Sequence, residues 1–415
     1  MSDILVMLQT NSNQPFIFSS PRLREQIGAS FEITLLSQWV KEAAEELLEQ
    51  KPLQIPNSFW VSDSSGKVIV RLTGNGGESE EKAKNLIRKV TLRALTDAPG
   101  LDVTGVFITT DTDEVQPHDL EKLDQEFSAY SLNRRPAAAR FPQFPYLIRA
   151  DESALPTVAP LTKPETNRIY KTAHAVGVKE SYEGRAKLKE QKKPENAEDS
   201  QSTVFIDFNS ILYTATKEDA KPEHKLSLPA RVKRAWALPA RFKQLDDVSG
   251  HLKTSMADLY RDPTRLEAAF QETAVGEQEI IPEGDATQGP DPDQEPTPPL
   301  LSSVGVVHVD GNGVGAIMRD LGRAFDKVDA HLDSLKDAAY KRRDNPCSID
   351  DDRFQWFVME VNYRLDGVVK AAVAAAWKDI EVYALGRQVP PVVPVLVGGD
   401  DVTVYTDGRY AIPFA

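Results

Sequence analysis

The chain has 415 residues, enough for two or three domains with buried cores, and its 40% hydrophobic content is that of a globular protein. A formal net charge of −14 argues against sequence-independent binding of nucleic acid over the whole surface, which requires lysine and arginine to neutralise phosphates. The single cysteine, Cys347, excludes an intrachain disulfide, argues against a four-ligand structural zinc site and suits a reducing cytoplasm.

The start, Met1-Ser2-Asp3-Ile4, lacks the basic region of a signal peptide. Ile4 to Leu8 reads as a strand that runs on into Gln9-Thr10-Asn11. Ser20-Pro21-Arg22-Leu23 reads as a capped helix start with proline at the first helical position. Phe59 to Ser62 and Lys67 to Leu72 form a hairpin around Asp63-Ser64-Ser65-Gly66, a helix follows from about Glu78 to Leu95, and Leu101 to Thr110 is a last strand. This strand-helix-hairpin-helix-strand order is ferredoxin-like and occupies residues 1–112.

Residues 113–270 form an irregular and helical connecting region. His118-Asp119 is a lone dipeptide in a polar stretch, and Pro136 to Pro160 suits an irregular wrap against the first unit. Lys179 to Ser202 is either an exposed helix or a disordered loop, and Thr203 to Phe208 is a short strand. Leu228 to Ala269 is mostly helical, with interruptions at Pro229, Pro239 and Pro263. It carries a basic cluster, Arg231, Lys233, Arg234, Arg241 and Lys243, as do Arg134, Arg135 and Arg140 upstream. Both read as solvated faces, with contact to RNA as the alternative. Residues 271–300, acidic and proline-rich, form a flexible linker.

From 301 to 415 the pattern changes. Val304 to Val309 reads as a buried strand ending in Asp310, followed by the turn Gly311-Asn312-Gly313-Val314-Gly315 and a helix. Leu321, Phe325, Val328, Leu332, Leu335 and Ala339 mark one apolar helical face, and Phe357 to Ala372 another; both are assigned to packing. Val368 to Trp377 is the most apolar helical stretch, yet it is too short to span a membrane and contains Lys370. Two strands then flank Gly398-Gly399-Asp400-Asp401. A glycine pair supplies the positive φ of a tight turn and lets a triphosphate approach the backbone, while aspartates are hard oxygen ligands for Mg²⁺. A turn without chemistry is the plainer alternative for this tetrapeptide. The earlier strand tips the balance, because strand, acid, glycine-rich turn and helix followed by this hairpin is the layout of a polymerase or cyclase palm. Asp310 would then close a metal site with Asp400 and Asp401. His308, two residues before Asp310, shares its side of the strand and reads as a hydrogen-bonded structural histidine.

At these residues the chain resembles the large palm-containing subunit of type III CRISPR effector complexes, a relative of GGDEF nucleotide cyclases. The resemblance implies an α+β fold of two ferredoxin-like, palm-type domains joined by a largely helical and partly disordered region. It implies a nucleotidyltransferase that uses ATP and two divalent metals, Mg²⁺ or Mn²⁺, to make cyclic oligoadenylate messengers in antiviral defence. Asp310 and Asp401 would be metal ligands, Asp400 a ligand or transition-state partner, and Gly311, Asn312, Gly313 and Gly315, with Gly398 and Gly399, would face the triphosphate. Other effector subunits and guide or target RNA are the implied partners, in the cytoplasm. The first unit matches the family's inactive palm: Asp-Ser-Ser-Gly stands where the acids should be, so it is expected to be structural.

Three features depart from the family. His118-Asp119 lacks the further ligands of the family's nuclease domain, and Phe141 to Pro160 has no cysteine for its zinc element. The second unit stops at Tyr410 to Ala415, where a helix should be starting; measured against the first unit about thirty residues are wanting, so a fragment of a longer product is expected, completion by another chain being the alternative. A catalytically silent ATP-binding or scaffold subunit is the second reading of function. A diguanylate-type cyclase is the third, weakened by Val402 in place of the aromatic of GGDEF.

Overall fold

The computed structural model describes residues 3–47, 57–74, 76–133, 146–177, 225–249, 304–311, 313–332, 352–381 and 392–415. The expectations for 179–202, 203–208 and 271–300, and for Arg134, Arg135, Arg140, Asn312, Leu335, Ala339 and Pro263, lie outside the described residues.

The first unit runs β1 (Ile4–Asn11), α1 (Asn13–Ile17), α2 (Leu23–Thr34), α3 (Leu36–Leu47), β2 (Trp60–Ser64), β3 (Lys67–Leu72), α4 (Gly76–Asp97) and β4 (Asp102–Thr109). Its sheet has the order β2-β3-β1-β4, with each neighbouring pair antiparallel. That is the ferredoxin-like arrangement expected of its element order. The start of α2 differs from expectation. Arg22 is its extended N-cap, and the Ser20 hydroxyl accepts from the Arg22 amide at 3.2 Å, so Ser20-Pro21 precede the helix rather than open it.

α5 (Pro117–Asn133) and α6 (Lys163–Ala175) follow. Asp119 belongs to the first turn of α5, where its carboxylate accepts the Gln116 amide at 3.0 Å, so this acid is committed to the helix start. Thr162 is the N-cap of α6, and its amide donates to the Glu165 carboxylate at 2.7 Å. Next comes α7 (Leu228–Ser249), which continues through Pro239. The expected interruption there does not occur, although a mid-helix proline forfeits one backbone hydrogen bond.

The second unit runs β5 (Val304–Asp310), α8 (Val314–Arg319), α9 (Leu321–Val328), α10 (Arg353–Glu381), β6 (Val392–Gly398), β7 (Asp401–Asp407) and α11 (Gly408–Phe414). Its sheet, β5-β7-β6, reproduces the order of the first three strands of the first unit, again antiparallel. α11 starts where Asp407 caps it, accepting from the Arg409 amide at 3.1 Å, and packs directly on β5. A Cβ on Gly305 would stand 2.6 Å from that of Ala411, so the strand admits the helix only as glycine. No helix among the described residues is long and apolar enough to cross a membrane.

The two units share their cores. Ile4, Val6 and Leu8 of β1 join a cluster with α2, α3, α4 and α7 that also takes in Val393 and Val395 of β6. Leu5 and Met7, on the other face of the same strand, pack with α5, Leu321 of α9 and Phe354, Trp356, Phe357 and Val358 of α10. Burial of both faces explains why β1 is a continuous apolar run rather than an alternating one. The rest of α10 serves the second sheet: Val373, Ala374, Trp377 and Ile380 cluster with Val307, Val392, Val402 and Val404. Asp352 anchors the start of α10, accepting from the Gln355 amide at 2.8 Å and the Val115 amide at 2.9 Å.

The basic cluster on α7 is not a solvated face. Arg231, Lys233, Arg234 and Arg241 are all buried, because α7 crosses α2 and carries these cations inward. Arg234 pairs with buried Glu25 at 2.8 Å. The Lys233 amine donates to the Phe16 carbonyl at 2.8 Å and the Ser19 hydroxyl at 2.9 Å, and lies over the Phe16 ring. These contacts also remove the four side chains from an RNA-facing role. Glu32 faces the same crossing at 0% exposure, and neither of its carboxyl oxygens finds a hydrogen-bond partner. Burial, only partly offset by Lys233, holds that carboxyl well above the usual carboxylate range.

Two outcomes follow from the crossing. A Cβ on Gly28 would stand 1.8 Å from the Lys233 carbonyl oxygen, so Gly28→Ala should force α2 and α7 apart and destabilise the chain by about 2–3 kcal/mol in thermal unfolding. Glu32 has its folded pKa raised, so its stabilising contribution is complete below the unfolded carboxylate value and is lost as pH rises through the folded one. Glu32→Gln should therefore raise the melting temperature more at pH 8 than at pH 5; an equal effect at both would remove Glu32 as the source of the linkage.

Candidate functional site

Each acid of the Gly-Gly-Asp-Asp segment has a distinct local reason for its position. Gly398 ends β6 and Asp401 opens β7, which leaves Gly399 and Asp400 as the two-residue loop. Gly399 alone takes a positive φ, 62°, so the turn needs one permissive residue and not the expected pair. Register then sets Asp310, the last residue of β5, directly opposite Asp401. The Gly311 amide donates to the Asp400 carbonyl at 3.1 Å, extending the pairing past the end of the strand. A Cβ at Gly311 would meet the Asp400 Cβ and the Val314 Cγ2 atom, each at 2.8 Å. Glycine at 311 is therefore a condition of the close approach between turn and hairpin.

Beyond that contact the site is open. Gly313, at φ 82°, is the left-handed N-cap of α8, and a Cβ on Gly313, Gly315 or Gly399 would meet nothing within 4 Å. Space beside the backbone is thus available at three of the glycines that the sequence assigns to a triphosphate.

The carboxylates are close enough to influence one another. Asp310 is exposed, while Asp400 and Asp401 are half-buried. The Asp401 carboxyl is held above its ordinary value, first by burial, then by the charges of Asp400 and Asp310 and by a hydrogen bond with the Asp310 carboxyl; His308 acts in the opposite direction. Among the described residues no three His, Cys, Asp or Glu side chains are gathered around an ion-sized space. The donor set nevertheless fits a small hard cation, since Mg²⁺ is typically held by one or two carboxylates, with phosphate oxygens and water completing its shell.

Two further groups flank the hairpin, and of them Asp366 carried no assignment from sequence. Asp366 of α10 and Ser65, in the β2–β3 turn, each come within 3.9 Å of where a Gly398 Cβ would be. The degenerate hairpin of the first unit thus stands beside the acidic hairpin of the second. Asp366 also pairs with Lys370 at 2.8 Å. Its sequence signal is an Asp and a Lys spaced i,i+4 on a helix. His308 lies on the same face as Asp310, as its spacing required, with Nδ1 2.9 Å from the Thr403 hydroxyl.

No protein-family model and no curated protein matches the chain. Among solved structures it is similar to a Csm1-Csm4 cassette in complex with cA4, with a TM-score of 0.43, 9% identity, and coverage of 99% of this chain and 46% of that one. It is also similar to the Csm1-Csm4 subcomplex of the type III-A CRISPR-Csm interference complex, with a TM-score of 0.43, 11% identity and the same coverages. The apo state of a type III-B Cmr-beta complex gives 0.41 and 10%, covering 100% of this chain and 60% of that one. The chain spans about half the length of the Csm1-Csm4 structures it matches.

Because the charge of Asp310 and its hydrogen bond both raise the Asp401 carboxyl, Asp310→Asn should move Asp401 down toward the ordinary carboxylate range. Carboxyl ¹³C titration by NMR measures this directly, and an unmoved or raised Asp401 would contradict the pairing.

Proposed function

We propose that the acidic end of the second sheet is a nucleotidyltransferase or nucleotide cyclase site that uses ATP and two divalent cations, Mg²⁺ or Mn²⁺, to make cyclic oligoadenylate-like messengers. The observation that carries the reading is the in-register opposition of Asp310 and Asp401, with Asp400 adjacent in the hairpin loop. In this reading the chain is a palm subunit of a type III CRISPR effector, working with other effector subunits and with guide and target RNA in antiviral defence.

The ribose 3′-hydroxyl of one ATP attacks the α-phosphorus of another. A phosphodiester bond forms, the α–β anhydride bond breaks, pyrophosphate leaves, and the hydroxyl proton passes to solvent. Bound divalent cations would supply Lewis-acid stabilisation of the developing charge. Asp310 and Asp401 are the residues that would hold them, with Asp400 as a further ligand or a partner to the transition state. The open backbone at Gly313, Gly315 and Gly399 admits the triphosphate without a side-chain clash, and Gly311 keeps the turn against the hairpin. Asn312 and Gly398 complete the assigned phosphate-facing set.

Calorimetric titration with ATP and Mg²⁺, or Mn²⁺, tests the site, followed by chromatography of the incubated mixture. Metal-dependent ATP binding should be lost in Asp310→Ala, and any oligoadenylate product should be lost in the Asp400→Ala, Asp401→Ala double variant. Product retained in the double variant would sink the reading. Absence of metal-dependent ATP binding in the unaltered chain would instead leave a silent scaffold subunit.

A further inference from the structure

The face of the second sheet that carries the acids continues down the strands as something other than an acid site. Side chains 304, 306, 308 and 310 of β5 share that face. Register sets His308 opposite Thr403 and Val306 opposite Tyr405. Reading away from the Asp310–Asp401 pair, the next rung is an imidazole beside a hydroxyl, and the one after it a valine beside a phenol.

Two of these groups, Val306 and His308, are exposed where a folded chain gains nothing from exposing them. Val306 is 59% exposed, whereas Val307, on the opposite face, is buried under α10 and α11. The His308 side chain also faces solvent. Both rings are nonetheless held in place. His308 is fixed through Nδ1 by the buried Thr403 hydroxyl at 2.9 Å. Tyr405 is half-buried and donates its hydroxyl to the Gln26 side-chain oxygen at 2.8 Å, and Gln26 is itself anchored by its amide to the Ser20 carbonyl at 2.9 Å. A step of two residues along a strand is about 7 Å. The shelf therefore starts one such step from Asp310 and extends for another, over a stretch on which a sugar and its base can lie while the sugar hydroxyl stays at the acids.

The geometry points to His308, Val306 and Tyr405 as the seat of the base of the attacking nucleotide, the one whose 3′-hydroxyl is presented to the acid pair. This deepens the nucleotidyl-transfer reading and rests on it. The chemistry is stacking and apolar contact, which every base can make through its π-face and a purine can make over the larger area. His308 and Val306 thereby set affinity for the attacking nucleotide, while Asp310 and Asp401 serve the reacting phosphate. Tyr405, tied to α2 of the first unit, fixes the far end of the shelf.

The probe is 2-aminopurine riboside 5′-monophosphate, whose fluorescence is quenched on stacking, titrated into the full chain with and without Mg²⁺. Quenching should saturate in the unaltered chain, binding should weaken about tenfold in His308→Ala, and His308→Phe should restore it. Val306→Ser should weaken it as well. No quenching in the unaltered chain, or unchanged quenching in His308→Ala, overturns the shelf. Failure of the underlying reading shows separately: Asp310→Asn and Asp401→Asn would then leave Mg²⁺-dependent ATP binding unchanged while the quenching keeps its dependence on His308, making the shelf a base-binding surface without transfer chemistry.

Discussion

Burial of α10 against two sheets at once fixes where the acidic hairpin stands. The helix has 29 residues and so is about 44 Å long. Its N-terminal part closes the face of the first sheet that bears Leu5 and Met7, and its C-terminal part lies under β6 and β7. Polar contacts set its register on the first sheet: Asn362 donates to the Ser62 hydroxyl at 2.8 Å, and Gln355 donates to the Ser58 and Trp60 carbonyls at 3.0 and 2.8 Å. Asp366 lies one helical turn beyond Asn362, and that turn reaches Gly398 of the hairpin. The helix thereby brings the two hairpin tips together while leaving the Asp310 side open to solvent.

A second support lies on the opposite side of the first sheet. α2 and α7 cross so tightly that a glycine is required at 28, and the charges trapped at the crossing are matched by Glu25–Arg234 and by the Lys233 contacts. From this crossing Gln26 reaches Tyr405 and Gln244 reaches the Val395 carbonyl at 3.2 Å. Removing one member of such a buried pair is costly, because the remaining charge is left without compensation. The acid-bearing strand β7 and its neighbour β6 are consequently held by hydrogen bonds from α2 and α7 as well as by their own sheet.

Local pattern made much of this legible. The hairpin at Lys67 to Leu72, the strands ending in Asp310 and starting at Asp401, and the ferredoxin-like order of the first unit all follow from periodicity and turn chemistry, which act over a few residues. The Thr162–Glu165 cap is equally local, a capping-box spacing at the start of α6. What pattern could not convey was the partner of a face. Arg231, Lys233 and Arg234 look the same in sequence whether a helix turns them to water or to Glu25 and Phe16, because the matching groups lie about two hundred residues away. Asp366 was hidden for the same reason: its neighbour Gly398 belongs to another element. His308, read as structural, does have the expected hydrogen bond, yet its ring remains accessible; one strand position carries both properties.

The interlocked cores also constrain how the chain comes to be folded during its own synthesis. The first ferredoxin-like unit is complete in sequence by Thr109, yet one face of its sheet awaits Phe354 to Val358 and the opposite core awaits Val393 and Val395. A ribosome adding residues from the N-terminus must therefore carry an early sheet with uncovered valine, leucine and methionine for more than two hundred further residues before its lid is made. Such long-range closure is slow and exposes sticky surface meanwhile. The helix that joins the two sheets in the finished molecule is thus synthesised more than two hundred residues after the sheet whose face it completes.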